Sequence, residues 1–285
     1  MNGYVELSER QLQLRLLTIL EDFKWLCQKY NLHFSLFGGT MLGAVRHQGF
    51  IPWDDDIDVA MPRPDYERLK TIFSQGEING HPYLLTSGGY PFLKLFDLNT
   101  RFVPLSDHDI DQYHYLWIDI FPLDGFSDSD EENRKIIKKF KFYRKVLGYS
   151  CRKIFNGKSA LNKIQNFIKK FITLKLLWCL LTRIIGEQKI ANWIDKQAQK
   201  YPYEKADYIG CVSYGLYGMG ECMKKSEAEI LCELDFEGQR MPAFSCWDSY
   251  LHGIYGDYMV LPPLEKRGSH SIRGYARIMR EGGLE

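Results

Sequence analysis

Four aspartates in five positions, Asp54, Asp55, Asp56 and Asp58, constrain this chain more than any other feature. Trp53 precedes them, Ile57 separates them, and Val59, Ala60 and Met61 follow. This pattern reads as a strand over 54–61, in which alternate side chains share a face. Asp54, Asp56 and Asp58 then line one face, with Asp55, Ile57 and Val59 on the other. Carboxylates in such a row repel one another, so a stable fold must place positive charge among them. A hard divalent cation with oxygen ligands meets that need.

The acids close a longer stretch, 37–59, that opens on Gly38-Gly39 after an apolar run. The reading around it is a helix over 7–30 capped by Ser8, a strand at 33–37, a short helix from Thr40 to His47 opening at the glycines, and a loop back to Trp53. Glycines at a helix start let backbone N–H groups approach a phosphate closely. Pro62 and Pro64 should stop the acidic strand, a helix should follow over 65–73, and a polar loop should run to Pro82. Strands at 90–98 and 100–103 around a turn at Asn99 would bring Lys94 and Arg101 near one another. The run 115–121 reads as an apolar strand carrying one acid, Asp119, which Pro122 and Gly125 break. Metal-assisted phosphoryl transfer needs two or three carboxylates around one or two ions, and Asp56, Asp58 and Asp119 fit that plan. A solvated acidic edge is the plainer alternative, but Asp119 between Ile118 and Ile120 is costly to bury without a partner.

The net charge of +1 hides an uneven distribution. Residues 1–133 carry 10 Lys/Arg against 21 Asp/Glu, residues 134–189 carry 16 against 1, and residues 190–285 carry 11 against 14. The basic middle alternates cations with Phe, Leu, Ile and Trp. That composition suits either a solvated helical face or a helix lying on an anionic membrane. No nucleic-acid reader motif accompanies it, so no nucleic-acid partner is expected. Seven cysteines without a CxxC pair point to reduced thiols in a cytoplasmic setting. Met1–Arg10 is polar and acidic, unlike a secretory leader, and no run of eighteen uncharged apolar residues suggests a membrane span. Later segments read as a helix at 190–201, an irregular Gly/Tyr-rich stretch at 208–223, a hairpin turning at Glu237-Gly238, a helix at 247–255 and an extended tail with Arg267 and His270.

These residues carry a resemblance. Gly38-Gly39-Thr40, Leu42-Gly43, Arg46 and the run Gly49-Phe-Ile-Pro-Trp-Asp-Asp-Asp-Ile-Asp58 resemble the LicD family of phosphorylcholine transferases, a fukutin-like branch of the nucleotidyltransferase-fold superfamily. Lys94 within Phe-Leu-Lys-Leu-Phe, Thr100-Arg101-Phe102, the run from Trp117 to Asp124, the run from Tyr255 to Pro263, and Arg267 to His270 are similar to the same family. The likeness covers most of 30–125 and 235–270 and leaves 131–205 without a motif.

The resemblance implies an α+β fold with a nucleotidyltransferase-like mixed sheet flanked by helices. It divides the chain into a core at 1–130, a basic helical insertion at 131–205 and a closing part at 206–285. It implies catalytic, metal-holding carboxylates at Asp56, Asp58 and Asp119, with two Mg²⁺ or Mn²⁺ ions. Gly38, Gly39 and Thr40 would hold donor phosphate, and Arg46, Lys94 and Arg101 would add positive charge. Asp119 would orient or deprotonate the acceptor hydroxyl, and His270 would touch substrate. The implied reaction moves phosphocholine from CDP-choline to a hydroxyl of a cell-surface glycan of teichoic acid, lipopolysaccharide or capsule type, releasing CMP. The work would be done at the inner face of the cytoplasmic membrane, through 134–189. A CDP-ribitol, CDP-glycerol or CDP-ethanolamine donor, or a silent glycan- or membrane-binding module, are the alternatives.

Overall fold

A computed structural model describes residues 3–73, 76–104, 114–150, 182, 184–268 and 272–277. Much of the basic segment, including most of its apolar part at 171–185, therefore lies outside the described residues, as does His270.

Helix α1 (Glu9–Tyr30) forms for the reasons its sequence offers. Ser8 and Gln11 exchange side-chain and backbone hydrogen bonds as a capping box, and Asn31 closes the helix in the left-handed conformation at φ 51°. Its apolar stripe, Leu16, Ile19, Leu20 and Phe23, is fully buried. The chain then makes the two-residue strand β2 (Ser35–Leu36), helix α2 (Gly38–His47), strand β3 (Asp58–Pro62) and helix α3 (Arg63–Ile72). Two expectations are corrected here. The regular strand starts at Asp58 and not at Asp54, because its parallel ladder with β8 begins at the Asp58–Asp119 pair and β2 pairs only with Val59 and Ala60. Helix α3 starts at Arg63, with Pro64 inside its first turn, where the missing N–H costs nothing.

The segment read as a polar loop to Pro82 contains β4 (Gly76–Ile78) and the start of β5 (His81–Thr86). Strands β6 (Leu93–Asp97), β7 (Thr100–Pro104) and β8 (Trp117–Gly125) follow. Pro122 does not break β8. On one edge β6 pairs with β8 as far as Ile120 and β9 (Tyr208–Gly210) takes over at Asp124, so the proline sits between its two neighbours on that side. On the other edge it faces Met61 of β3 in parallel register.

Helices α4 (Asp130–Ser150) and α5 (Glu187–Ala198), strand β10 (Met223–Lys224), helix α6 (Lys225–Ala228), the hairpin β11 (Leu231–Phe236) and β12 (Gln239–Phe244), helix α7 (Trp247–Tyr255) and strand β13 (Ile272–Arg277) follow, with short 3-10 helices at Tyr203–Lys205, Gly218–Glu221 and Leu264–Lys266. The hairpin turns at Glu237-Gly238, both at positive φ, as the sequence predicts. The main sheet runs β10-β9-β8-β6-β5-β4, with β3 on the free edge of β8 and β2 beyond it. Strands β1 (Tyr4–Glu6), β13 and β7 form a separate sheet. This is the expected α+β class, with helices packed on mixed sheets.

One hydrophobic core joins α1, α2, the main sheet, the β11–β12 hairpin and α7. A smaller cluster, including Phe140, Ile190, Ile194 and Val212, lies under α4 and α5. Arg63 links the two regions. It forms a two-pronged pair with Asp124 at 2.7 and 2.8 Å and reaches Asp195 of α5 at 2.9 Å.

Candidate active site

The register of three strands builds the site. Asp58 on β3 stands directly opposite Asp119 on β8, and Asp119 stands opposite Lys94 on β6. Paired residues share a face, so the three form a cross-strand row. Lys94 Nζ is 3.1 Å from Asp119 Oδ1. Aromatic faces surround that ammonium, with Trp117, Tyr90 and Phe92 centroids at 4.0, 4.7 and 5.8 Å. Lys94 is buried, and the ring faces and Asp119 together make that burial tolerable.

The loop from Trp53 to Ile57 brings the remaining acids beside this row. Asp54 N–H donates to Ile51 O, Gln13 holds Asp54 O at 3.0 Å, and Asp119 N–H donates to Ile57 O at 2.8 Å. Burial pushes the Asp58 carboxyl well above its ordinary range, and the charges of Asp56, Asp119 and Asp54 push it further, with Lys94 opposing. The acids are thus electrostatic neighbours, as the sequence pattern predicts, although only Asp58 lies in the regular strand. Among the described residues no three Asp, Glu, His or Cys side chains are already gathered into a closed cage. The donor set still fits a hard cation, since it is carboxylate oxygen throughout and its mutual repulsion calls for positive charge.

The glycine pair meets the acids directly. Gly38 adopts φ 51°, and a Cβ there would lie 3.0 Å from Asp58 Oδ2. A Cβ at Gly39 would lie 3.0 Å from Asp54 Oδ2. The helix start therefore closes against the carboxylates, and Gly38 N–H donates to Tyr250 Oη at 3.2 Å. Thr40 Oγ1 accepts from Asp58 N–H at 2.8 Å, which fixes the start of β3.

The other predicted cations separate. Arg101 lies in the β1–β13–β7 sheet, with its guanidinium over Tyr115 at 4.1 Å and Tyr4 at 5.5 Å. The expected pairing of 90–98 with 100–103 does not form; β7 pairs with β13 and β6 with β5 and β8. Arg46 donates to Tyr258 O at 2.7 Å and to His47 Nε2 at 3.0 Å. Burial lowers its pKa, Tyr255 opposes that, and the charge of Arg267 lowers it further. Arg267 in turn lies over the ring of Trp53 at 4.8 Å.

Sequence reasoning left one part of the site unassigned. Tyr217 and Tyr255 pack edge to face with centroids 5.1 Å apart. Burial raises the Tyr217 phenol, Tyr255 lowers it, and the charges of Glu221, Asp58 and Asp56 raise it again. Two aromatic faces thus stand within electrostatic reach of the acids. In the sequence Tyr217 stands out only by the abundance of tyrosine, which also fills the core elsewhere, and Tyr255 only by opening the family-like run 255–263.

A family model described as LicD/FKTN/FKRP, nucleotidyltransferase domain, matches residues 31–160. The chain is 32% identical over 276 residues to the lipopolysaccharide cholinephosphotransferase LicD of Haemophilus influenzae, which spans 94% of this chain and 97% of that protein. It is also similar to two uncharacterised proteins. One, RP689 of Rickettsia prowazekii, is 38% identical over 87 residues, covering 27% of this chain and 33% of the relative. The other, RT0683 of Rickettsia typhi, is 29% identical over 152 residues, covering 49% and 46%.

Proposed function

The chain belongs to the LicD family, and from that premise we propose that it transfers phosphocholine from CDP-choline to a hydroxyl of a cell-surface glycan, releasing CMP. It is then a transferase acting on phosphate groups. The observation that carries this reading is the row Asp58–Asp119–Lys94, with the Gly38-Gly39 helix start closed against its acidic end.

The chemistry is a displacement at phosphorus. The acceptor hydroxyl oxygen bonds to the phosphorus that bears choline, the bridging P–O bond breaks, and CMP leaves with the electron pair. Asp119 lies mid-row and takes the hydroxyl proton on a carboxylate oxygen as the nucleophile forms. Lys94, held by Asp119 and three ring faces, offers a fixed positive charge to the phosphate oxygens without reorganising. Asp56 and Asp58, with Asp119, would hold one or two Mg²⁺ or Mn²⁺ ions. Bound there, such ions supply charge neutralisation for the diphosphate and its leaving group. The backbone of α2 places its first turn beside the same point, where phosphate is favoured once the acids are neutralised. Arg46 and Arg267 stand on the Trp53 side as further cations for the donor. Tyr217 and Tyr255 present the faces that a quaternary ammonium favours. A glycan acceptor carried on lipid would bring the chain to the membrane surface through 134–189. No helix among the described residues is long and apolar enough to cross a membrane.

The test is CMP release and phosphocholine transfer by the purified chain, offered CDP-choline, CDP-ethanolamine, CDP-glycerol and CDP-ribitol in turn with a glycan acceptor. CDP-choline should support turnover, and Asp58→Asn and Asp119→Asn should abolish it. Turnover with another donor alone reassigns the headgroup. Turnover that survives both substitutions rejects the site.

A further inference from the structure

The run from Tyr255 to Pro263, singled out in the sequence, gives only its first ring, Tyr255, to the transfer reading, and residues 256–263 have no part in it. Its side chains present a physical oddity. Met259 is 57% exposed, Val260 65%, Leu261 47% and Leu264 75%, so four large aliphatic side chains within six residues face water. Single exposed apolar residues need no explanation, but a contiguous set does.

The ridge is held firmly. Arg46 donates to Tyr258 O at 2.7 Å, and Arg267 Nε donates to Pro262 O at 2.8 Å. Tyr258 Oη donates to Asp248 Oδ1 at 2.6 Å, and Val260 N–H donates to Asp257 O at 3.2 Å. Pro262 and Pro263 stiffen its far side. The ridge also adjoins the candidate active site. Arg46 and Arg267 sense one another's charge, Arg46 senses Tyr255, and Tyr255 senses Asp58 and Asp54. Outward-facing aliphatic groups are thus fixed on the Trp53 side of the acid site.

We propose that Met259, Val260, Leu261 and Leu264 insert into the surface of a phospholipid bilayer and so face the active site toward a membrane-borne acceptor. Area argues against a protein partner on this ridge alone. Four partly exposed aliphatic side chains fall short of the roughly 800 Å² per partner that a stable protein interface buries. Shallow insertion needs far less, and stable peripheral anchoring combines a small apolar insert with a second, basic signal. The 134–189 segment, with its 16 cations against one acid, supplies the second signal. Around the ridge itself Arg46, Lys266 and Arg267 exceed Asp257 and Glu265 by a single charge, so apolar insertion and not local charge must act there. This surface goes beyond the transfer reading and can be tested without any donor.

The experiment is co-sedimentation of the full chain with vesicles of 70% phosphatidylcholine and 30% phosphatidylglycerol, comparing wild type with Val260→Ser/Leu264→Ser. Both positions are exposed, so the variant should keep its unfolding midpoint, and its oligomeric state should be unchanged in sedimentation velocity. Vesicle affinity should fall about tenfold, and the residual binding should vanish in 0.5 M salt, where charge is screened. Turnover on a soluble acceptor should not change. Equal vesicle binding by the two proteins overturns the proposal, as does failure of the wild type to bind vesicles. A wild-type dimer that the variant converts to monomer also overturns it, because the ridge would then be covered by a second copy.

Discussion

Lys94 Nζ stands 3.1 Å from Asp119 Oδ1, and Asp119 is itself one strand away from Asp58 in the same cross-strand row. A buried cation beside a partly buried acid row balances charge as much as it binds substrate. Lys94→Met should therefore lower the free energy of unfolding by about 3–5 kcal/mol, the usual cost of stripping one partner from a buried pair. Mg²⁺ should recover part of that loss, which a simple packing defect would not allow. Denaturant melts with and without the ion check both points.

Asp58→Asn should act in the opposite sense. Burial and three neighbouring acids make the Asp58 charge unfavourable. Removing it should stabilise the metal-free protein by about 0.5–2 kcal/mol while abolishing transfer, as happens where activity needs a strained site. The wild type should gain about 2.7 kcal/mol at one hundred times the Kd for Mg²⁺, and the variant should gain much less. A metal-free variant less stable than wild type would show that repulsion does not dominate the row.

The two glycines should separate by substitution to alanine. Gly38→Ala places a side chain in the left-handed region and 3.0 Å from Asp58 Oδ2, so a stability loss of about 1–2 kcal/mol is expected. Gly39 has no such backbone demand and meets only the far end of the Asp54 side chain. Gly39→Ala should melt within about 0.5 kcal/mol of wild type yet lose turnover, because the displaced Asp54 carboxylate is an electrostatic neighbour of Asp58. Paired melting and CMP-release measurements separate the two outcomes.

What could be read in the chain and what could not divide along physical lines. Local signals sufficed for α1, whose capping box and apolar stripe lie within one stretch, and for the β11–β12 turn at Glu237-Gly238. The acids and Lys94 were readable as residue types, since a carboxylate or lysine amid apolar strand residues needs a partner. The register joining them was not, because Asp58, Asp119 and Lys94 meet only through pairing of distant strands. The extent of β3 depended on its five-residue parallel pairing with β8, and the fate of Arg101 on capture of β7 by β13. Pro122 read as a breaker because its tolerated place between β6 and β9 is a property of the sheet. Strands β4 and β5 were hidden by a polar, glycine-containing sequence whose pairing is tertiary.

The Arg63–Asp124 pair links stability to pH. Burial pushes the Asp124 carboxyl up to about 6 even with Arg63 opposing it. Burial also opposes the Arg63 charge, but Asp124 and Asp195 outweigh it and hold the guanidinium ionised. In Arg63→Met the carboxyl loses its cation, and its pKa climbs further. A carboxyl raised in the folded state contributes stability below its unfolded value of about 4, and that contribution is lost as pH rises through the folded value. The cost of Arg63→Met should therefore be smaller at pH 5 and reach about 3–5 kcal/mol at pH 8. Denaturant midpoints at the two pH values test the sign, and a cost that shrinks toward pH 8 refutes it.

Tyr217 and Tyr255 offer the sharpest test of the headgroup. Their edge-to-face contact at 5.1 Å fixes two rings within reach of the Asp58 charge. A quaternary ammonium gains about 0.5–2 kcal/mol from such a face, which is roughly a 2- to 30-fold effect on affinity. Tyr217→Ala should raise KM for CDP-choline by that factor, whereas Tyr217→Phe, which keeps the face and removes only the hydroxyl, should remain near wild type. Neither substitution should change KM for CDP-glycerol if that donor turns over at all, because its headgroup carries no cation. A loss shared equally by both donors would assign Tyr217 to the frame of the site and not to headgroup recognition.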